Sequence, residues 1–436
     1  MTNRVKIQLR ASVLMGTAHN LLWMVGLFAV FAWPRLVEAE PQPGDVFREY
    51  TWLQKMYVLK YPGWKEHLDA QPFQPALELP EQVDLSAAVK AELVLEIANT
   101  HLGWADMFFR INNHEPIKIK FPERSPQEPS PSRWFNYWSP VIAVPVADLN
   151  AHTNQIQFMV GPLTYDGKNP HEAWEPIYTI VLRVYYDPAR ISHPKGEIVS
   201  PITGSKIGLN VVLSAKGEPV PGHATVSTDF IGRYEDLNYQ GDGLYENWQY
   251  QIHQGKLRYH LGHAVAGETA NWDTAWVPDQ KAPVMIAAWL RDASGLVFVT
   301  KPVSGLVLDR PGLSVELARP YDVPMAFTSC QYGSYIGKGP QTAKFDLKGD
   351  MTRAIDARFA MVALNGKEAH GFMINGTALE NAELQNGGFP HQLFVTPILP
   401  LSVLKSGANT FTLLPGKGRS SDVALPGPTV LVRYKK

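Results

Sequence analysis

Alternation with a period of two dominates the chain. Ala91-Glu92-Leu93-Val94-Leu95-Glu96-Ile97 sets Leu93, Leu95 and Ile97 on one face, and Ile117-Lys118-Ile119-Lys120-Phe121 alternates in the same way. Gln155 to Phe158 and Val181 to Tyr185 repeat the pattern. Such alternation, rich in β-branched and aromatic residues, predicts half-buried strands. Asp166-Gly167, Asp242-Gly243, Asn365-Gly366 and Asn375-Gly376 punctuate them as turns. Helical periodicity is scarce; its best stretch is Phe47 to Tyr61, which also reads as strand. Many short strands separated by turns predict an all-β protein built of β-sandwiches.

The amino terminus departs from this pattern. Arg4, Lys6 and Arg10 precede an uncharged run from Leu21 to Trp33, followed by small residues at Val37 and Ala39. A basic start, a short apolar centre and an A-x-A-like exit predict a secretory signal over residues 1–39, cleaved after Ala39. An uncleaved anchor is the alternative, since 22 uncharged residues run from Ser12 to Trp33. No later stretch is long enough to span a membrane, so no span is expected after cleavage. The expected location is periplasmic, extracellular or cell-surface, in a chain that reads as bacterial.

Two linker-like segments, DPARISHPKGE and LDRPG, divide the remainder into blocks at about 41–187, 195–309 and 312–436. Pro122 to Arg133 is a Pro/Ser-rich insert within the first block and cannot form a central strand. The first and third blocks share an order of features: a strand holding F-x-I-N, a proline-bearing strand, an Asn-containing turn, a further strand, and a closing strand that carries valine, arginine and tyrosine. A repeat in this order predicts a duplicated fold.

The shared phrase is V-P-x-x-x-L-x-x-G-x-N-x-I. It runs from Val144-Pro145 through Leu149 and Asn154 to Ile156, and again from Leu399-Pro400 through Leu404, Gly407 and Asn409 to Phe411. The phrase resembles the galactose-binding-domain-like jelly rolls attached to secreted carbohydrate-active proteins. The first copy departs from it with Ala151-His152 where the glycine would stand. The resemblance covers about half of the mature chain and implies fold more strongly than ligand. The middle block is similar to the Ig-like modules of secreted bacterial proteins, with Leu209, Val211 and Leu213 alternating before a turn at Lys216 to Val220. The expected architecture is therefore jelly roll, Ig-like module, jelly roll.

Charge and composition narrow the function. The 40 basic and 41 acidic side chains give a net charge of −1, which offers no electrostatic reason to expect nucleic acid. A hydrophobic content of 45% excludes disorder as the main state. The one cysteine, Cys330, excludes an intramolecular disulfide and a cysteine-rich metal knuckle, and reads as a small buried side chain.

Aromatic residues are the most useful chemical signal. Trp134, Phe135, Tyr137 and Trp138 follow the insert, with Trp104 and Trp174 in the same block. Four rings so close together cannot all face one core from a strand. Rigid apolar platforms with a polar handle suit the flat C–H faces of sugar rings, so Trp104, Trp134, Tyr137, Trp138 and Trp174 are the candidate ligand contacts. Core packing is the alternative. Trp272 and Trp276, spaced as on one strand face, read as core or as a loop plug.

Metal and catalytic signals are thinner. Asp236, Asn238, Gln240 and Asp242 are spaced like calcium-loop oxygens, but Gln240 replaces an acid and Asn247 the closing glutamate. A plain hairpin is the competing reading. His260 and His263 would point to opposite faces of a strand and serve a metal only from a turn. Gly333 to Gly339 has the wrong spacing for a phosphate loop, and neither G-x-S-x-G nor H-E-x-x-H occurs. Glu172 and Glu175 flank Trp174 and read as a loop edge. Asn375-Gly376-Thr377 is a glycosylation sequon in a eukaryotic secretory host.

These readings favour non-catalytic binding of an extracellular glycan or surface polymer. The alternatives are a spacer or subunit of a cell-surface assembly, self-associating through sandwich edges, and a polysaccharide-degrading enzyme.

Overall fold

A computed structural model describes residues 41–53, 57–60, 73–99, 105–120, 136–163, 174–236, 251–253, 256–258, 260–321, 341–364, 372–379, 384–385, 391–395, 399–413, 422–423 and 429–436. Residues 1–39, where a signal was expected, the insert Pro122 to Arg133, Gly333 to Gly339 and Cys330 lie outside the described residues. Among those described, the regular structure is strand with a few 3-10 turns. The all-β expectation is met.

The first sandwich is built from β1 (Val46–Leu53), β2 (Tyr57–Lys60), β3 (Leu77–Glu78), β4 (Ala88–Asn99), β5 (Ala105–Ile111), β6 (Ile117–Ile119), β7 (Asn136–Trp138), β8 (Val141–Val144), β9 (Gln155–Leu163) and β10 (Trp174–Tyr186). One sheet runs β1-β10-β4, with β7 and β8 both paired to β4; the other runs β3-β9-β5-β6. All of these pairings are antiparallel, and the order is that of a jelly roll. Alternation delivers Leu93, Leu95 and Ile97 from one sheet, and Phe109, Ile111, Ile156 and Phe158 from the other, into one core. Where it is described, the stretch with helical periodicity is strand, in β1 and β2. Tyr50 and Trp52 face the core from β1, and Phe47 is fully buried on the opposite face. With both faces covered, burial overrides the local pattern.

The third sandwich repeats this order. One sheet runs Leu313–Ala318, Thr429–Lys435, Ala354–Leu364, His391–Val395; the other runs Gln341–Leu347, Gly407–Leu413, Phe372–Ile374, Thr377–Leu379. Phe359 and Phe411 stack across its core at 5.2 Å. Asn375 and Gly376 both have positive φ, 51° and 82°, and close a two-residue hairpin between Ile374 and Thr377, as the Asn-Gly signal predicts.

Between them, Gly196–Ser200, Asn210–Gly217 and Ala270–Asp273 form one sheet. It faces a second sheet in which Thr225–Arg233 lies between Gly262–Val265 and Val284–Asp292. Leu213 and Trp272 meet Phe230, Ile286 and Leu290 in the core between the two. Lys206–Ile207 pairs in parallel with Val307–Leu308.

The second sheet of this middle sandwich does not stop at its own edge. Val297–Val299 pairs with Val284–Asp292 on one side and with β1 on the other, matching Val46 to Phe298 and Phe47 to Val297. One continuous sheet therefore crosses from the middle sandwich into the first. The third sandwich joins through a backbone bond, from the Asp279 amide to the Val315 carbonyl at 2.8 Å, and through side chains. Arg310, fully buried, donates from Nη1 to the carbonyls of Thr274 and Val277 and pairs with Asp279. Trp276, in the turn after Trp272, takes the Arg358 and Arg433 guanidiniums against its ring at 4.1 and 4.4 Å. The two tryptophans thus part company, Trp272 into the core and Trp276 into the junction.

Candidate functional site

Strand register gathers the candidate aromatics at one end of the first sandwich. Asn136, Tyr137 and Trp138 pair with Asn99, Ala98 and Ile97 at the end of β4, and Ile97 pairs with Ile177 near the start of β10. Trp174, which opens β10, pairs with Lys60 at the end of β2. Tyr137 and Trp138 on β7 and Trp174 on β10 therefore lie at the same end of the sheet, on the two strands that flank β4. Trp104 lies in the connection between Asn99 and Ala105, and Trp134 two residues before Asn136; both fall outside the described residues. So does Glu172.

Of the candidate calcium ligands, Asn238, Gln240 and Asp242 lie outside the described residues. Asp236 is described, and a cation of the protein's own stands beside it. Arg319 donates to the Asp236 carbonyl at 3.3 Å and to the Glu235 carboxylate at 3.2 Å. Gln280 exchanges two hydrogen bonds with the Glu235 backbone, at 2.8 and 3.2 Å. Among the described residues, no three His, Cys, Asp or Glu side chains stand in metal-binding geometry.

His260 and His263 do not diverge as strand spacing predicts. His260 precedes the strand Gly262–Val265, and both rings turn to Asp229, with His263 Nδ1 at 2.8 Å and His260 Nε2 at 3.7 Å. Burial, with the nearby His263, pulls the His260 pKa below its ordinary value, and the Asp229 charge offsets part of that.

A second polar group escapes notice in the sequence. Glu92, Glu96, Thr179, Arg183 and Tyr185 alternate with core residues, which reads as a solvated face, yet all five are buried. Arg183 donates to Glu92 at 2.7 Å and to Glu49 at 2.8 Å, and its guanidinium lies 5.0 Å from the Phe47 ring and 5.6 Å from that of Trp289. The Tyr185 hydroxyl donates to Glu92, and the Thr179 hydroxyl to Glu96 at 2.6 Å. Burial, then the Glu96 charge, pushes the Tyr178 hydroxyl well above the usual tyrosine range. Leu257 of the middle sandwich packs against Val94 and Val181 on this face. The readable signal was the apolar Val94 and Val181 among the charges. Fully covered, the group ties strands and sandwiches together and presents nothing to a ligand.

The repeated phrase builds one polar knot twice. Asn154, fully buried, accepts from the Asn150 amide and from Asn112 Nδ2, both at 2.8 Å, and donates to the Asn150 carbonyl at 2.6 Å. Asn409 accepts from the Lys405 amide at 3.0 Å and from Asn375 Nδ2 at 2.8 Å, and donates to the Lys405 carbonyl at 2.8 Å. Asn112 and Asn375 hold matching left-handed conformations, φ 49° and 51°. Gly407 is also left-handed, at φ 80°, whereas His152 is not, so the first copy makes its knot with a differently shaped turn. Asn375 Nδ2 also donates to the Val403 carbonyl at 2.9 Å. Both amide hydrogens of the sequon asparagine are thus committed to the fold.

No family profile matches the chain, and no curated protein does. Among solved structures, one match is titled "Crystal structure of BuGH86wt in complex with neoagarooctaose". It is 13% identical over 48% of this chain and 27% of that one, with a TM-score of 0.20. Another is a β-glucuronidase from Ruminococcus gnavus in complex with uronic deoxynojirimycin. It is 10% identical over 64% of this chain and 47% of that one, with a TM-score of 0.23. The chain spans about a quarter and about half of these proteins. Scores this low do not establish a common architecture.

Proposed function

We propose that this is an exported, non-catalytic protein that binds a glycan or surface polymer at the aromatic end of its first jelly roll. The observation that carries the reading is the register of β2, β4, β7 and β10, in which Tyr137, Trp138 and Trp174 come to one end of one sandwich from two separate stretches of sequence. The resemblance to galactose-binding-domain-like modules supports it, as does the repeated phrase with its buried asparagine. The strand order of the middle sandwich, with its parallel edge pair, supports an Ig-like module over 195–309 between jelly rolls at 41–187 and 312–436. Export rests on the pattern of residues 1–39. Calcium held at the Asp236 loop would be an addition to this reading and is tested with it.

The full chain is screened against a panel of polysaccharides, with and without calcium. One polymer class binds reproducibly, and Tyr137→Ala, at the register position opposite Ala98 on the outer face of the sheet, weakens that binding by on the order of 2 kcal/mol, roughly 30-fold in Kd, as expected for an aromatic anchor. Trp138→Ala weakens it less, because Trp138 stands in register with the core residue Ile97. Unchanged affinity in both variants, with melting temperatures preserved, would remove the site. The continuous sheet and the buried Arg183 network favour a second reading, a rigid spacer in a surface assembly. Concentration-dependent sedimentation without affinity for any polymer would select it.

A further inference from the structure

The outer face of the β3-β9-β5-β6 sheet carries a built cationic platform. Alternation sends Met107, Phe109, Ile111, Ile156 and Phe158 into the core, which leaves Phe108, Arg110, Gln155 and Gln157 on the other side of the sheet, half-buried. Arg110 and Gln157 stand opposite each other in register, and Arg110 Nε donates to Gln157 Oε1 at 3.0 Å. Gln157 Nε2 donates in turn to the Gln74 carbonyl at 3.2 Å. The Arg110 guanidinium lies 3.9 Å from the centre of the Phe73 ring. Ring, guanidinium and amide thereby fix one another. Arg110 bonds through Nε alone, so among the described residues neither terminal nitrogen has a hydrogen-bond partner. Both are donors in a planar fork, the geometry that matches a carboxylate or sulfate.

The third sandwich shows that the fold does not need this arrangement. There Met373 and Thr412 pair at the positions of Arg110 and Gln157, on the same two strands of the same sheet order. The sandwich closes without a guanidinium, so the Arg110 platform is an addition to the scaffold. Its surroundings have one predominant sign. Lys118 and Lys120 are exposed on the adjacent β6 and just after it, and the acid among the described side chains of this face, Glu78, is held by Gln155 at 3.0 Å on the far strand.

We infer that this face binds an anionic polysaccharide, with the Arg110 fork on a carboxylate or sulfate group and the Phe73 and Phe108 rings beside the sugar. The inference rests on the reading of the first jelly roll as a glycan binder and names the chemical class of the glycan. It concerns a surface distinct from the aromatic end.

The test uses the full chain and three polymers: polygalacturonate, dextran sulfate and unmodified dextran. Binding to at least one acidic polymer is expected, and the two separate carboxylate from sulfate. Arg110→Ala weakens that binding by roughly tenfold or more, the scale of a charge-assisted hydrogen-bond pair. Arg110→Lys weakens it nearly as much, because an ammonium keeps the charge and loses the fork. Circular dichroism melts confirm that both variants fold. Wild-type affinity in Arg110→Ala would overturn the inference, and wild-type affinity in Arg110→Lys would reduce the site to bulk charge and overturn it as well. Binding to dextran alone would overturn it while the glycan reading stands. Failure of this chain to bind any polysaccharide, in the panel above or here, would overturn both.

Discussion

Asn154 and Asn409 show how much one amide can carry. Each is buried and uses its side chain on both sides of a turn, accepting a backbone amide and a second asparagine while donating to a carbonyl. Truncation strands donors and an acceptor in the interior, where an unmet polar group is expensive. Asn154→Ala and Asn409→Ala are each expected to cost about 2–4 kcal/mol in urea unfolding. A loss below about 1 kcal/mol would show that water replaces the knot. The asparagine stood out in the sequence as part of a repeated phrase. Its reason did not, because Asn112 and Asn375 lie 42 and 34 residues before their partners and only the folded hairpins bring them there. The same distance hid the commitment of Asn375, which reads as a glycosylation acceptor in isolation.

Strands were legible wherever one face met the core and the other met water or a thin cover. Cover on both sides does not by itself hide a strand, since β4 and β10 are buried on both faces and still alternate in polarity. Over 47–53 the alternation is lost because Phe47 and Tyr50 are both buried, on opposite faces of β1. The strand Gly262–Val265 misled in another way, since His260 sits just before it and is not bound by its pleat. That histidine gives the element a pH dependence. Its folded-state pKa lies below the unfolded value near 6.5, so the unfolded chain takes up more protons as pH falls through that value, and stability is lost on the acid side. The urea midpoint is expected to fall between pH 7.5 and 5.5, and to fall less in His260→Gln. Equal slopes for the two proteins would assign the dependence elsewhere.

The three sandwiches are joined by two different devices, and each places a charge where none would be expected. At the first junction a sheet continues through Val297–Val299 into β1, and Arg183 sits beneath it between Glu49 and Glu92. Arg183→Ala leaves Glu92 buried without its main partner and is expected to cost about 3–5 kcal/mol, read as a lowered thermal midpoint. A shift within experimental error would mean that water reaches the pair. At the second junction Arg310 and the Trp276 stack hold the third sandwich, drawing on residues that looked like a linker and a stray tryptophan. The chain's alternation, turn signals and repeated phrase were enough to establish an all-β fold, because each depends on neighbours within a few residues and on which side of a strand meets water. They also singled out the aromatic residues, whose density no single core face can absorb. Which of those residues share an end, which charges are buried, and which arginine is left with open donors depended on strand register and on what covers each sheet. Those are long-range pairings, set by the packing of segments a hundred residues apart, and no local pattern encodes them.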